Sequence, residues 1–310
     1  MKVTVAKMDI KAGEPIRFFL TGDWHVGNVN FDEDSAGQLV KLVKESKKDV
    51  DKTFLITMGD LAELVCHSDV KRFVPSTVAS RYTLHDLNNM PVAQVDHIHD
   101  LFGEILPYTI ARLTGNHEGE YKKRHHIDIH EMVFRRIART DGTIRPDGVE
   151  YTRGDGDLGY IGFLRTQYNI SSVRQSVDFC LNHGDGGSGY REGYPINKAH
   201  DVFRWSDADI GAMGHIHQLA VDCKEHHILN LYGRYTTTPR WKGITGTLLR
   251  TAKEGTANYF EHKGRAGGNV GCLMAEIRFY SRRIDGRAAL IRDITLEPIS
   301  FDLPKWKYRA

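Results

Sequence analysis

The chain lacks the features that would assign it to a membrane, to the cell exterior or to a generally basic nucleic-acid binder. No apolar run is long enough to span a bilayer, and the opening stretch MKVTVAKMDIKAG has no signal-peptide core. The 42 basic and 40 acidic residues nearly cancel, so no overall field attracts a polyanion. These absences predict a cytoplasmic protein with no membrane partner, in which any nucleic-acid contact is local.

Cysteine is also scarce and widely scattered. None of the cysteines is paired at the two-residue spacing of a zinc knuckle or a redox motif. We expect free thiols in a reducing compartment. The four residues are Cys66, Cys180, Cys223 and Cys272.

One local pattern recurs five times: a short apolar strand that ends in polar side chains. The segments are IRFFLTGDWH, TFLITMGDLAE, YTIARLTGNHEGE, SVDFCLNHGDGG and ADIGAMGHIHQ. Amphipathic helices are predicted between the first three strands and after the third, which indicates a largely parallel α/β core. In such sheets the functional crevice lies beyond the carboxyl ends of the strands. The polar clusters are therefore expected to meet at one edge.

The rest of the chain predicts further strands and no separating linker. Residues 141–173 are rich in Gly and Asp and favour hairpins, at an antiparallel edge of a second sheet. The part from residue 220 again offers strands with little helical periodicity. We expect one domain over residues 1–310, a two-sheet sandwich with helices outside, in which 218–310 completes the second sheet and the loops on the substrate side.

The polar clusters have the chemistry of a metal site. A Gly-Asp pair at a strand end usually marks only a turn, and an isolated His is more often structural. Five clusters in order favour ligation instead, with oxygen and nitrogen donors and no sulfur. Seven donors are too many for one ion and suit two ions that share a carboxylate, of a borderline transition metal rather than calcium. These donors are Asp23, His25, Asp60, Asn116, His183, His215 and His217.

The ordered set GDWH, GDLAE, GNHE, HG and GHIH, over positions 22–217, resembles the signature of calcineurin-like metallophosphoesterases. The resemblance implies an α/β/β/α fold: a four-layer sandwich of two mixed β-sheets flanked by helices, with a two-metal site between the sheets. Protein Ser/Thr phosphatases of this superfamily carry arginines where this chain has Leu64 and Gly119. The phosphodiesterase and nuclease branches fit better, including forms encoded by phages and mobile elements, which the C-terminal part resembles.

The resemblance also implies roles for these residues. His117 would contact the phosphate or protonate the leaving oxygen, and the acidic side chain of Glu63 would pair with that histidine. One ion would be held by Asp23, His25, Asp60 and His217. The other would be held by Asp60, Asn116, His183 and His215, with Asp60 bridging.

The predicted activity is hydrolysis of a phosphodiester, of a nucleotide or nucleic acid, by a hydroxide that bridges two divalent ions. Manganese is the first choice of metal, with iron or zinc as alternatives. Two other functions stay open: a phosphomonoesterase for a small metabolite or nucleotide, and a non-catalytic metal-binding scaffold. Candidate substrate contacts are Tyr190 and Arg191, in a Gly-rich loop, and Arg250, in a basic stretch, although both could be solvated surface segments.

Overall fold

The computed structural model describes residues 1–65, 75–140, 142–186, 194–229, 233, 235–250, 268–284 and 287–301. Within these ranges the chain forms thirteen strands and six helices. The strands are β1 (Lys2–Asp9), β2 (Ile16–Thr21), β3 (Lys52–Thr57), β4 (Thr109–Leu113), β5 (Glu150–Arg153), β6 (Asp157–Gly159), β7 (Ile161–Ile170), β8 (Val173–Asn182), β9 (Ile210–Met213), β10 (Leu219–Leu229), β11 (Tyr235–Thr245), β12 (Gly271–Ile284) and β13 (Arg287–Ser300). The helices are α1 (Glu33–Asp49), α2 (Leu84–Leu87), α3 (Met90–Phe102), α4 (Asn116–His125), α5 (Ile129–Arg135) and α6 (Tyr194–Phe203).

The strands form two mixed sheets. The seven-stranded sheet has the order β10-β11-β9-β8-β7-β1-β5, and the six-stranded sheet has the order β13-β12-β2-β3-β4-β6. The parallel core that the alternating pattern predicts is present as β2, β3, β4 and β6. An antiparallel hairpin, β12 and β13, extends this sheet beside β2.

The sheets pack face to face, with helices on both outer faces. Phe18 of the six-stranded sheet and Phe179 of the seven-stranded sheet meet between them, with ring centroids 5.1 Å apart. Apolar side chains of α1, α3 and α5, such as Leu39 and Ile98, cover the outer face of the six-stranded sheet. Phe203 of α6 packs on the other outer face. This is the predicted four-layer α/β/β/α sandwich.

The C-terminal strands differ from the sequence-based expectation for residues 218–310. Only β10 and β11 join the seven-stranded sheet, whereas β12 and β13 belong to the six-stranded sheet. Strand β12 buries Leu273 between the sheets and Cys272 towards the helices. Because both faces are apolar there, the strand suits an inner position in a sheet that is covered on both sides.

The hairpin expected in residues 141–173 is also placed differently. Strand β5 does lie antiparallel to β1 at a sheet edge. Strand β7 pairs with β8 along ten residues and lies inside the seven-stranded sheet, between β8 and β1. The edge position was therefore right for β5 and wrong for β7, whose alternate residues are buried between the sheets.

Two expectations from composition can be compared with the structure. Cys180, Cys223 and Cys272 are free thiols, while Cys66 lies outside the described residues. No helix in the described part of the chain is long and apolar enough to cross a membrane.

Candidate metal centre

The polar clusters that follow five strands come together at one end of the sandwich. Three of these strands, β2, β3 and β4, belong to the six-stranded sheet, and β8 and β9 belong to the seven-stranded sheet. The possible ligand atoms lie within 4.8 Å of one another in each of three overlapping groups. The groups are Asp23, His25 and His217; His25, Asp60 and His117; and Asp60, His183 and His215.

Five of the candidate ligands have a left-handed backbone conformation, which is uncommon for residues other than glycine. The φ angles are 49° for Asp23, 52° for His25, 51° for Asp60, 69° for His215 and 55° for His217. Such conformations cost free energy and persist where the surroundings hold them. Here the first two motifs are held side by side, because the N–H of Asp23 donates to the Gly59 carbonyl at 2.9 Å and that of His25 to the Asp60 carbonyl at 3.0 Å.

The glycines of the motifs allow the close approach of these segments. A Cβ atom on Gly115 would lie 2.0 Å from Oδ1 of Asp60. Gly59 has a φ of +91°, and a Cβ atom there would lie 2.8 Å from Nδ1 of His183. Side chains at these positions would displace the donors themselves, which explains why glycine precedes Asp60 and Asn116.

In the first group, two imidazoles and a buried carboxylate face one another. Nε2 of His25 lies 3.2 Å from Nε2 of His217, which in turn lies 3.5 Å from Oδ1 of Asp23. Oδ2 of Asp23 accepts the main-chain N–H of His215 at 2.8 Å. Oδ1 is buried and has no hydrogen-bond donor among the described residues. A cation would satisfy this oxygen and both nitrogens.

In the third group, the other possible ligand atoms lie around Nε2 of His183. This atom lies 3.2 Å from Oδ2 of Asp60 and 3.0 Å from Oδ1 of Asn116. Nδ1 of His183 donates to the Met58 carbonyl at 2.7 Å, so Nε2 is the nitrogen that faces the group. Oδ2 of Asp60 is also 3.9 Å from Nε2 of His25. The Asp60 carboxylate therefore lies between the first group and the third.

The electrostatics of the cluster favour a bound positive charge. Burial alone would raise the pKa of Asp60, but the neighbouring imidazoles, led by His183, hold it well below its usual range. Burial would lower the pKa of His183, but Asp60 raises it to about 10. Burial, with the charge of His183, lowers the pKa of His215 to about 4. Inward carboxylates and imidazole nitrogens thus fit divalent metal ions.

Glu63 has a different partner from the one that the resemblance implied. Its carboxylate lies 3.0 Å from Nδ1 of His25, whereas its main-chain carbonyl oxygen contacts Nδ1 of His117. The side-chain hydrogen bond of Glu63 is therefore to His25 and not to His117. His117 still acts on the carboxylate electrostatically: burial would raise the pKa of Glu63, but the charges of His117 and His25 hold it below its usual range. The N–H of Glu63 donates to the Val26 carbonyl at 3.0 Å, which keeps Glu63 beside the segment that carries His25.

Glu118 is a structural member of the site to which the sequence reasoning gave no role. It is 2% exposed and lies at the third position of α4. Its carboxylate accepts main-chain N–H groups at 3.0 Å from Asp60, 2.6 Å from Leu61 and 3.0 Å from Gly115. Glu118 thereby joins the second and third motifs. The available signal was the acidic residue three positions after the glycine that precedes a helix, as in a capping box.

The candidate substrate contacts are only partly described. Tyr190 and Arg191 lie outside the described residues. Nε of Arg250 lies 2.6 Å from Oδ2 of Asp32, and its main-chain N–H donates to the Asn30 carbonyl at 2.9 Å. The same segment approaches the cluster, because Oγ1 of Thr247 donates to the Asp23 carbonyl at 2.6 Å. A substrate contact of Arg250 stays a prediction.

Trp24, within the GDWH motif, packs in the core. It is fully buried and stacks on Phe102, with ring centroids 3.9 Å apart. Its indole N–H donates to Oγ1 of Thr21 at 2.9 Å. The side chain of Trp24 therefore serves packing and has no surface exposed at the mouth of the site.

No model of a known protein family matches the chain, and a comparison with curated proteins found no match. Among solved structures, the chain is similar to the calcineurin-like phosphoesterase YfkN from Bacillus subtilis (10% identity, 92% of this chain and 91% of that chain, TM-score 0.41). It is also similar to the NAD nucleotidase NadN of Haemophilus influenzae (9%, 94% and 50%, TM-score 0.41) and to Vps29 of Entamoeba histolytica complexed with zinc (10%, 90% and 99%, TM-score 0.32). The first description names the family that the motifs resemble. At identities and TM-scores this low, no activity is carried over to this chain.

Proposed function

We propose that the chain is a phosphoesterase that depends on two divalent metal ions and hydrolyses phosphodiesters. The observation that carries the proposal is the position of the Asp60 carboxylate. Its Oδ2 atom lies 3.2 Å from Nε2 of His183 and 3.9 Å from Nε2 of His25, so that one carboxylate reaches both groups of donors. A carboxylate in this position can bind two closely spaced ions through its two oxygens.

The donors would divide between the ions as the resemblance implies. Asp23, His25 and His217 would hold one ion, together with Asp60. His183, His215 and Asn116 would hold the other, again with Asp60. Manganese is our first choice because mixed carboxylate and imidazole ligation suits borderline transition metals, and iron and zinc have the same donor preferences.

In the proposed reaction the ions and His117 would have different roles. Two ions at this site would supply an activated water and positive charge for the phosphoryl oxygens. His117 would act on the leaving oxygen: its Nδ1 contacts the Glu63 carbonyl, so Nε2 is the nitrogen that would meet the substrate. Its ring lies edge-on to that of His25, with centroids 4.7 Å apart, and is therefore beside the first group of donors. It would stabilise or protonate the leaving group.

We favour a diester substrate over a phosphoprotein because positions 64 and 119 carry no arginine. Protein phosphatases of the superfamily that the motifs resemble carry an arginine at the position of Leu64. Leu64 is 5% exposed and has no positive charge that could bind a phosphate. Gly119 has no side chain at the other position. We propose a nucleotide or nucleic-acid ester, contacted by Arg250 and by Tyr190 and Arg191 of the loop.

The test is to compare turnover of bis-(p-nitrophenyl) phosphate with that of p-nitrophenyl phosphate by protein supplied with manganese. Faster turnover of the diester would support the proposal. Faster turnover of the monoester would replace it with a phosphomonoesterase. Two bound ions with no turnover of either ester would indicate a metal-binding scaffold.

A further inference from the structure

Tyr160 is an aromatic side chain at the metal centre to which no role has been given so far. It occupies the turn between β6 of one sheet and β7 of the other, at the end of the sandwich where the donors meet. Its ring lies at 76° to that of His183, with centroids 5.2 Å apart. The residue is 39% exposed, although the histidine beside it is fully buried.

The position of this ring is held at both ends. The hydroxyl of Tyr160 donates to the Gly184 carbonyl at 2.9 Å, and the Tyr160 carbonyl accepts the main-chain N–H of His183 at 3.0 Å. These two contacts hold the Tyr160 side chain against His183 and Gly184. Because the hydroxyl is already bonded within the protein, Tyr160 offers a ligand the face of its ring rather than a free polar group.

We infer that Tyr160 is a specificity-determining wall of the site, which selects phosphate esters that carry an aromatic ring. This inference rests on the proposed function, since it places the phosphate at the ions. A phosphate bound at ions held by His183 and Asp60 would lie beside the Tyr160 ring, whose centroid is 5.2 Å from that of His183. An aromatic group on the ester can then stack on a surface that needs no rearrangement, whereas an aliphatic group gains only contact area.

The charged groups near Tyr160 agree with a role in binding the aromatic part of the ester rather than its phosphate. Asp23 and Asp60 are close enough to act electrostatically on Tyr160, but the ring itself carries no charge. The ions and their donors would bind the phosphate, and the ring would bind what is attached to it. Stacking of a base or aryl ring on an aromatic side chain is sequence-tolerant, so this contact selects a class of ester and not one molecule.

The experiment is calorimetric titration of the manganese-loaded protein with phenylphosphonate and with cyclohexylphosphonate. The two probes have the same charge and similar size, and their P–C bonds are not hydrolysed, so binding is read without turnover. We expect about fivefold or greater preference for the phenyl compound. Tyr160→Phe should keep this preference and Tyr160→Leu should lose it, with unchanged metal content. Tyr280→Leu, at an exposed tyrosine of β12, is the matched control.

Equal affinity of the wild-type protein for the two probes would by itself overturn the inference, with no variant needed. Retained preference in Tyr160→Leu would also overturn it. So would loss of metal in that variant, because the ring would then serve to cover His183.

A nucleoside 5′-phosphonate distinguishes the two kinds of aromatic ester, nucleoside esters and aryl esters. Weaker binding of it by Tyr160→Leu indicates nucleoside esters, and weaker binding of phenylphosphonate alone indicates aryl esters. Failure of the proposed function is seen separately, as absent ester turnover.

Discussion

The Glu63 carboxylate lies 3.0 Å from Nδ1 of His25, so one acidic side chain orients a candidate metal ligand. The side chain of Glu63 is 14% exposed and that of His25 is 5% exposed, which makes the pair largely shielded from water. A carboxylate behind an imidazole fixes its tautomer and turns the other nitrogen to the metal. The carbonyl of the same residue contacts His117, and the two histidines therefore share one support.

Replacement of the Glu63 side chain should weaken metal binding. We expect Glu63→Ala to lower manganese affinity by about 10- to 100-fold and Glu63→Gln by less, because the amide oxygen can still accept from His25. Titration of the metal-free protein with manganese measures this, and Glu33→Gln, on an exposed side chain of α1, is the control. Unchanged affinity with slower turnover would mean that Glu63 acts through His117 instead.

His117→Ala should leave the ions bound and slow the reaction. Its main-chain N–H, which donates to Oδ1 of Asp60 at 2.8 Å, is retained in the variant, so the bridging carboxylate keeps its orientation. We expect turnover of a diester to fall by about a hundredfold or more, as for loss of a general acid. A rate equal to that of the wild type, at equal metal content, would show that the leaving group needs no help from this residue.

Asp60→Asn should abolish occupancy by two ions while preserving the local fold. The amide oxygen can replace Oδ1 as acceptor for His117, but the negative charge shared by the two groups is lost. We expect loss of the second ion and of turnover, measured by metal analysis and a diester assay. Asp185→Asn changes an exposed carboxylate two residues after His183 and should alter neither. Wild-type activity in Asp60→Asn would refute the bridging role.

The protein should lose stability on acidification partly through His130. This residue of α5 is buried, and burial, with the charge of Arg112, lowers its pKa from 6.5 to about 4. Between these values the unfolded chain binds the proton and the folded chain does not, so stability falls as pH falls. The contribution is about 3 kcal/mol once pH is below both values.

Urea unfolding between pH 7 and pH 4 measures this contribution. His130→Gln should unfold with a shallower dependence on pH than the wild type. His85→Gln, which changes an exposed histidine, should follow the wild type. Parallel curves for the wild type and His130→Gln would contradict the assignment.

Local patterns in the sequence predicted most of the residues that meet at the candidate metal centre. Each cluster follows an apolar strand, and β2, β3 and β4 were anticipated to within one or two residues. The side chains of Asp23, Asp60 and His183 could be brought to one edge by the rule that parallel strands end together. The pairing of β12 with β2 was not predictable in this way, because strand partners distant in sequence are chosen by packing and not by local propensity.

Orientation within the site was less accessible from the sequence. Glu63 has both His25 and His117 within reach, and motif spacing does not say which receives its carboxylate. The left-handed conformation of Asp23 and His217 was not predictable either, because Asp and His adopt it more often than most residues but still only in a minority of cases. Tyr160 was missed because it lies in a turn between the two sheets, where neither strand alternation nor a motif marks it.

The most direct measurement of the central claim is a metal add-back experiment. Protein depleted of metal is assayed on bis-(p-nitrophenyl) phosphate with manganese, zinc, magnesium or no metal restored, and bound ions are counted in each sample. The account predicts that a transition metal restores turnover as occupancy approaches about two ions per chain. Full turnover without metal, or saturation with a single ion, would contradict a centre built around the shared carboxylate of Asp60.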